Sequence, residues 1–282
     1  MAALLSELLG SFLILLLTSA LPSQQAPPTS RSPLVLLVSF DGFRWDYLDR
    51  SQTPNFDSFV QDGVKAKYIF DTFASKTFPN HYSIATGLYQ ESHGIVGNVM
   101  YDSSTGEGFS LGVKHNPVWW NDGEPIWVTN QKQGGQSALI MYPGMEIKIR
   151  GQYASYRLPV YNSSFPFKER IDIITSLFAN GSINLGLLYF HEPDHSGHLL
   201  GPDSLGMDPI LQMCDKTLAY LMEKLQNASL DDKVDVIITS DHGMTPVSSD
   251  NFMQLDDFVD PSLYHYTNNN PVFGIWPHKG TA

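Results

Sequence analysis

Three apolar, β-branched runs constrain this chain more than any other feature: 34–40 (LVLLVSF), 184–190 (NLGLLYF) and 234–240 (VDVIITS), each leading into acidic residues. Such runs lack the alternation of a half-buried strand. They read as strands covered on both faces, which belong to a parallel or mixed sheet. Helical patterns lie between them. Residues 166–178 set Phe167, Ile171, Ile174 and Phe178 at helical spacing and stop at Asn180-Gly181. Asp208-Pro209 reads as an N-cap followed by a first-turn proline, and Ile210, Cys214, Leu218, Leu221 and Leu225 form the apolar stripe after it. Strands alternating with helices give an α/β fold.

Ligands of open α/β sheets bind beyond the carboxyl ends of the strands. Asp41, Asp194 and Asp241 each follow the end of an expected strand. One Asp in such a place could as well cap the next helix. Three of them, two with His neighbours, point to a shared centre. Asp194 and His198 stand four positions apart in DHSGH, a spacing that sets both on one side of a helix, and Asp241-His242 are adjacent at a strand end. Mixed carboxylate and imidazole ligation suits Zn²⁺ better than Mg²⁺ or Ca²⁺, which prefer oxygen shells. His191 and His195 lie nearby without an evident partner and read as outlying or solvent-facing. Thr77, in SKTFPNH, precedes an expected helix over 82–88. A hydroxyl just before a helix start has backbone N–H donors and the positive dipole end beside it, which favours phosphate. An ordinary N-cap would look the same, but with zinc on its oxygen Thr77 becomes a candidate nucleophile.

A net charge of -12 argues against a protein that coats nucleic acid, because neutralising phosphates takes Lys and Arg. Residues 8–17 (LLGSFLILLL) form an apolar run too short to span a bilayer comfortably and are followed by Thr18-Ser19-Ala20, so 1–20 reads as a signal peptide and 21–33 as a linker. Sequons at Asn162, Asn180 and Asn227 fit an extracellular or lumenal address in the secretory pathway. Cys214 is the lone cysteine, which excludes an intrachain disulfide, and its place in a helical stripe reads as core.

The blocks SFDGFRWDYL, SKTFPNHYSIATGLYQESHGIVGN, EPDHSGHLLGP and IITSDHGM, in that order, resemble the signature blocks of the ectonucleotide pyrophosphatase/phosphodiesterase family of the alkaline phosphatase superfamily, most closely its fourth and fifth members. The resemblance implies an alkaline phosphatase-like fold, with a mostly parallel central sheet and helices on both faces, over 34–282. It implies a hydrolase of nucleotide-type phosphodiesters with two Zn²⁺ and a phosphothreonine intermediate. One zinc would be held by Asp41, Asp241 and His242, with Thr77 as the nucleophile between the metals. The other would take Asp194, His198 and a third His from a Gly-x-His-Gly-type segment. Asn98 would bond a phosphate oxygen, Phe78 and Tyr161 would flank the base, and Tyr142 stands where the family commonly has Trp. Asn162 would put a glycan beside this pocket. No segment of the needed type follows His242, and His265 and His278 lie in contexts that do not match. The second zinc set therefore reads as incomplete and the domain as shortened at its C-terminus, with a membrane anchor expected only in a longer form. Two alternatives remain at this stage: a non-catalytic ectodomain that binds a ligand, and a phosphodiesterase of choline-type lipid headgroups.

Overall fold

The structure is a computed structural model that describes residues 33–112, 114–267, 271–278 and 280. The expected signal peptide and nearly all of the linker lie outside the described residues.

The five-stranded sheet is built from β1 (Leu34–Phe40), β4 (Ser137–Ile140), β5 (Tyr156–Arg157), β6 (Leu185–Phe190) and β7 (Val234–Thr239), in the order β5-β4-β6-β1-β7. Every neighbouring pair is parallel. Two antiparallel hairpins stand apart, β2 (Met100–Asp102) with β3 (Glu107–Phe109) and β8 (Tyr264–Thr267) with β9 (Gly274–Pro277). The helices are α1 (Tyr47–Arg50), α2 (Pro54–Gln61), α3 (Thr77–Thr86), α4 (Gln90–His93), α5 (Ile126–Lys132), α6 (Phe167–Ala179), α7 (Asp194–Leu200) and α8 (Asp208–Asn227).

The period-two alternation of side chains sorts each strand between two cores. Leu36, Val38 and Phe40 of β1, with Leu188 and Phe190 of β6, pack under α2, α6 and α8. Leu187 and Tyr189 face the other core, shared with Tyr82 of α3 and with Trp120, Trp127 and Tyr142. Cys214 is fully buried in the first core.

Three expectations need correction. β7 is not covered on both faces. Among the described residues it pairs only with β1, its Val236 and Ile238 lean on the α8 side, and Ile237 is 51% exposed. Asp208 does not cap α8. A 3₁₀ turn over Leu205–Met207 runs straight into the helix, so Met207 holds the cap position and Asp208 already has helical angles. The helix after the SKTFPNH block starts earlier than expected, at Thr77, because Pro79 falls in its first turn, where a missing N–H costs nothing. Gly87, at φ 69°, ends it in the left-handed conformation that a C-terminal turn needs.

Among the described residues, no helix is long and apolar enough to cross a membrane.

Candidate active site

The parallel register brings the carboxyl ends of β1, β6 and β7 side by side, and the backbone then ties them together. Asp41 N donates to Phe190 O (2.9 Å), Asp194 N to Asp41 O (3.0 Å) and Gly42 N to Asp241 Oδ1 (3.1 Å). Residues from positions 41, 194 and 241 thereby meet at one spot.

Their side-chain atoms converge as well. Ligand atoms of Asp41, Asp194 and His242 lie within 4.8 Å of one another, as do those of Asp41, His81 and Asp241. His242 Nε2 is 3.5 Å from Asp41 Oδ1 and 3.3 Å from Asp241 Oδ2. Asp41 Oδ1, Asp194 Oδ1, Asp241 Oδ2 and His242 Nε2 are all buried without a hydrogen-bond partner. A buried unpaired polar atom costs about 1–3 kcal/mol, and more when charged, so four such atoms in two overlapping groups call for a cation. Three carboxylates and an imidazole are the donor set of a divalent cation such as zinc. The residues fit such an ion.

Electrostatics agree. Burial, then the Asp241 charge, pushes the Asp41 carboxyl up to about 7. Burial and then Asp41 push Asp194 up to about 6, and burial raises Asp241. His242 is opposed by burial, but Asp241 and Asp41 outweigh it and raise its imidazole. Without a cation the cluster holds protons instead of metal.

His81 belongs to the second converging group, yet both its nitrogens are engaged. Nδ1 donates to Thr77 O (2.8 Å), and Nε2 accepts from the Ser39 hydroxyl (2.9 Å). Burial lowers its pKa to about 4, so it is neutral. It is a brace joining the α3 start to β1, with Nδ1 also 3.3 Å from Asp241 Oδ2.

Beside the cluster opens a cavity of about 450 Å³ whose lining includes Asp41, Thr77, Phe78, Asn98, Tyr161 and Asp194. Thr77 is the first residue of α3 and Lys76 holds the cap position. The N-cap reading of Thr77 is thus excluded, and the residue lines the cavity. The Phe78 amide is already bonded to Asn98 Oδ1 (2.9 Å). Asn98, whose Oδ1 takes up that helix-start amide, lines the cavity. Tyr161 is 37% exposed. Its backbone N–H is held by Glu146 (2.7 Å), which also pairs with Lys114 (2.9 Å). Tyr142 also lines the cavity, with its ring buried between His81 and Trp127 and its hydroxyl donating to His81 O (3.0 Å). Asn162, Asn180 and Asn227 are all exposed, and Ser163 and Ser164 of the first sequon line the cavity.

His198 does not line this cavity; its side chain is 52% exposed and its Nε2 is 3.5 Å from Asp194 Oδ1. His191 and His195 line the cavity. His265 stacks on Trp276, 5.4 Å from the ring of His278, and neither imidazole joins the converging groups. Sequence reading missed His81, Tyr189 and Arg170. Arg170 is fully buried and donates to the carbonyls of Tyr189 (2.8 Å), Phe165 (3.0 Å) and Ser163 (3.3 Å), which fixes the segment after Tyr161 to β6. Burial lowers its pKa to about 10. Its only advance signal is an Arg on the apolar side of a helical pattern.

The model of type I phosphodiesterase/nucleotide pyrophosphatase matches residues 35–281, which takes in all of the cluster and the cavity. The chain belongs to that family. It is 45% identical over 258 residues to a bis(5′-adenosyl)-triphosphatase of Xenopus laevis, covering 90% of this chain and 57% of the relative. Identity to ectonucleotide pyrophosphatase/phosphodiesterase family member 5 of Homo sapiens is 41% over 276 residues, or 97% of this chain and 57% of that one. The chain thus spans little more than half the length of these relatives. Among solved structures, murine member 5, an inactive threonine-to-alanine variant in complex with AMP, superposes with a TM-score of 0.85 at 41% identity, covering 88% of this chain and 67% of that one. The expected family and its mostly parallel, alkaline phosphatase-like fold are both found.

Gly42 shows how tightly the family site is built. Its φ is 67°, and a Cβ there would sit 2.8 Å from Asp194 Cβ and 2.9 Å from Asp194 Cα. Gly42→Ala must displace the Asp194 backbone. Its expected cost is about 2–3 kcal/mol in a denaturant melt, with divalent-cation affinity down at least about tenfold by calorimetric titration.

Proposed function

We propose that this chain is the catalytic core of a zinc-dependent phosphoric diester hydrolase acting on nucleotide-type phosphodiester or pyrophosphate bonds through Thr77. One observation carries the reading: buried, unpaired ligand atoms of Asp41, Asp194, Asp241 and His242 lie in two overlapping groups, and the cavity that Asp41 and Asp194 line is also lined by Thr77, Phe78 and Tyr161. Support comes from relatives whose names specify nucleotide substrates and from the AMP complex of the murine threonine variant.

Asp41, Asp241 and His242 would hold one zinc with Thr77, and Asp194 and His198 would contribute to a second. Bound zinc lowers the pKa of an attached hydroxyl and stabilises charge growing on phosphoryl oxygens. Thr77 gives its proton to solvent, and its oxygen attacks phosphorus in line. The bond from phosphorus to the leaving oxygen breaks, and that oxygen departs with the electron pair. Water then cleaves the phosphothreonine and returns the Thr77 hydroxyl. Asn98 donates from Nδ2 to a non-bridging oxygen, a contact that gains value as charge builds. Phe78 and Tyr161 flank the base, and secretion with glycans at Asn162, Asn180 and Asn227 would place the work outside the cytosol.

The base-flanking role has its own expected result. Phe78→Ala or Tyr161→Ala raises KM for a nucleotide diester about tenfold or more, since stacking is worth about 1–3 kcal/mol per base. On a small aryl phosphodiester without a base the same variants stay within about threefold of the parent.

The functional test compares a nucleoside 5′-phosphate aryl ester with aryl phosphocholine. The proposal expects kcat/KM for the nucleotide ester to be higher by at least about 100-fold. The reverse order would hand the site to choline-type headgroups. A second reading, a ligand-binding ectodomain without turnover, is favoured by one observation: among the described residues no three-residue metal-binding group contains both Asp194 and His198. Metal content separates them, with near two zinc ions per chain for the enzyme and one or none for the binder.

A further inference from the structure

We propose that Tyr189 is a positioning residue that fixes Asp41 for metal binding by taking up one of its two carboxylate oxygens; this rests on the zinc reading above. Tyr189 is the penultimate residue of β6, paired in register with Ser39 of β1. Asp41 lies two residues beyond Ser39, so by strand alternation it falls on the same side of the sheet. There the Tyr189 hydroxyl donates to Asp41 Oδ2 at 2.5 Å. Asp41 Oδ1 remains buried and unpartnered, turned toward the unpartnered atoms of Asp194 and His242.

A carboxylate free at both oxygens can rotate, chelate with both, or turn to a neighbour. Tyr189 removes that choice. The ring has little freedom of its own: it meets His81 edge-on at 5.2 Å and Tyr161 at 6.2 Å, and it is nearly fully buried. His81 is in turn held by Ser39 and Thr77. The aromatic that flanks the cavity, the brace under Thr77 and the Asp41 carboxylate are thereby set against one phenol. Outer partners of metal ligands typically account for about 10–100-fold in metal affinity.

The test is zinc titration of the full chain by calorimetry, with circular dichroism as the folding control. Tyr189→Phe is expected to bind Zn²⁺ about 10–100-fold more weakly than the parent. Tyr220→Phe, which removes a tyrosine–carboxylate bond to Asp172 elsewhere in the fold, is expected to leave zinc affinity unchanged. 4-Aminophenylalanine at position 189 returns a weaker donor to the same place, and its affinity falls between those of the parent and Tyr189→Phe. Should Tyr189→Phe not fold, the amino variant is the test by itself, and an affinity equal to the parent overturns the inference. Parent and Tyr189→Phe binding zinc equally well also overturns it while leaving the zinc reading intact. A parent that takes up no zinc defeats the zinc reading instead, and the inference with it.

Discussion

Thr77→Ala lowers kcat on a nucleotide phosphodiester by about 10⁴-fold relative to the unsubstituted protein, and AMP still binds within about threefold of the parent affinity. The split follows from where Thr77 sits. It opens α3 and lines the cavity together with Asp41, Phe78, Asn98 and Tyr161. Removing one hydroxyl therefore deletes the attacking atom and leaves the other cavity-lining groups in place. Thr77→Ser keeps an attacking oxygen and should recover most of the rate. Rapid quenching followed by peptide mass spectrometry supplies the second check, since the parent carries a phosphoryl adduct on the peptide containing Thr77 and the Ala variant does not. Full turnover by Thr77→Ala would remove the nucleophile assignment.

Metal removal gives the next largest effect, and its pH dependence has a defined sign. Asp41 and Asp194, raised to about 7 and about 6, hold protons in the folded metal-free chain that the unfolded chain has already released. Such groups take stability away from the metal-free protein as pH rises from the usual carboxylate range through those values. His242, raised by Asp241 and Asp41 against the effect of burial, contributes stability that is likewise lost as pH rises. Displacing these protons with zinc recovers what they lose. Asp41 alone, moved by about three units at about 1.4 kcal/mol each, represents on the order of 4 kcal/mol. The neutral imidazoles of His81, His93 and His191, lowered chiefly by burial to about 4, pull the other way in both forms and cancel in the difference. The Tm gap between zinc-loaded and chelated protein is expected to widen from a few degrees near pH 5 to roughly 10 °C near pH 7.5, read by scanning calorimetry at both values. A gap that narrows with rising pH would contradict the assignment.

The cluster was legible in the sequence because its ligands follow apolar runs, and a parallel sheet must bring such run ends together. That logic found β1, β6 and β7 and, at their ends, Asp41, Asp194 and Asp241. It missed β4 and β5, which are too short to stand out as runs, and the two hairpins, whose side chains alternate weakly. Tyr189 was hidden because it counts as apolar within LGLLYF, where only tertiary register shows its hydroxyl reaching Asp41. His81 was hidden because its partners lie on two other elements. Tyr142 lines the cavity, while packing against His81 and Trp127 keeps its ring buried, a contact that no local pattern shows. Local pattern thus reached the converging carboxylates, and the groups bonded to them depended on register and packing.

Anomalous X-ray scattering at the zinc edge, from crystals of the full chain soaked in Zn²⁺, addresses the metal site itself. The account predicts a strong peak about 2.0–2.2 Å from Asp41 Oδ1 and His242 Nε2, beside the Thr77 hydroxyl. Zinc bound only elsewhere, or no peak with these side chains ordered, would contradict it.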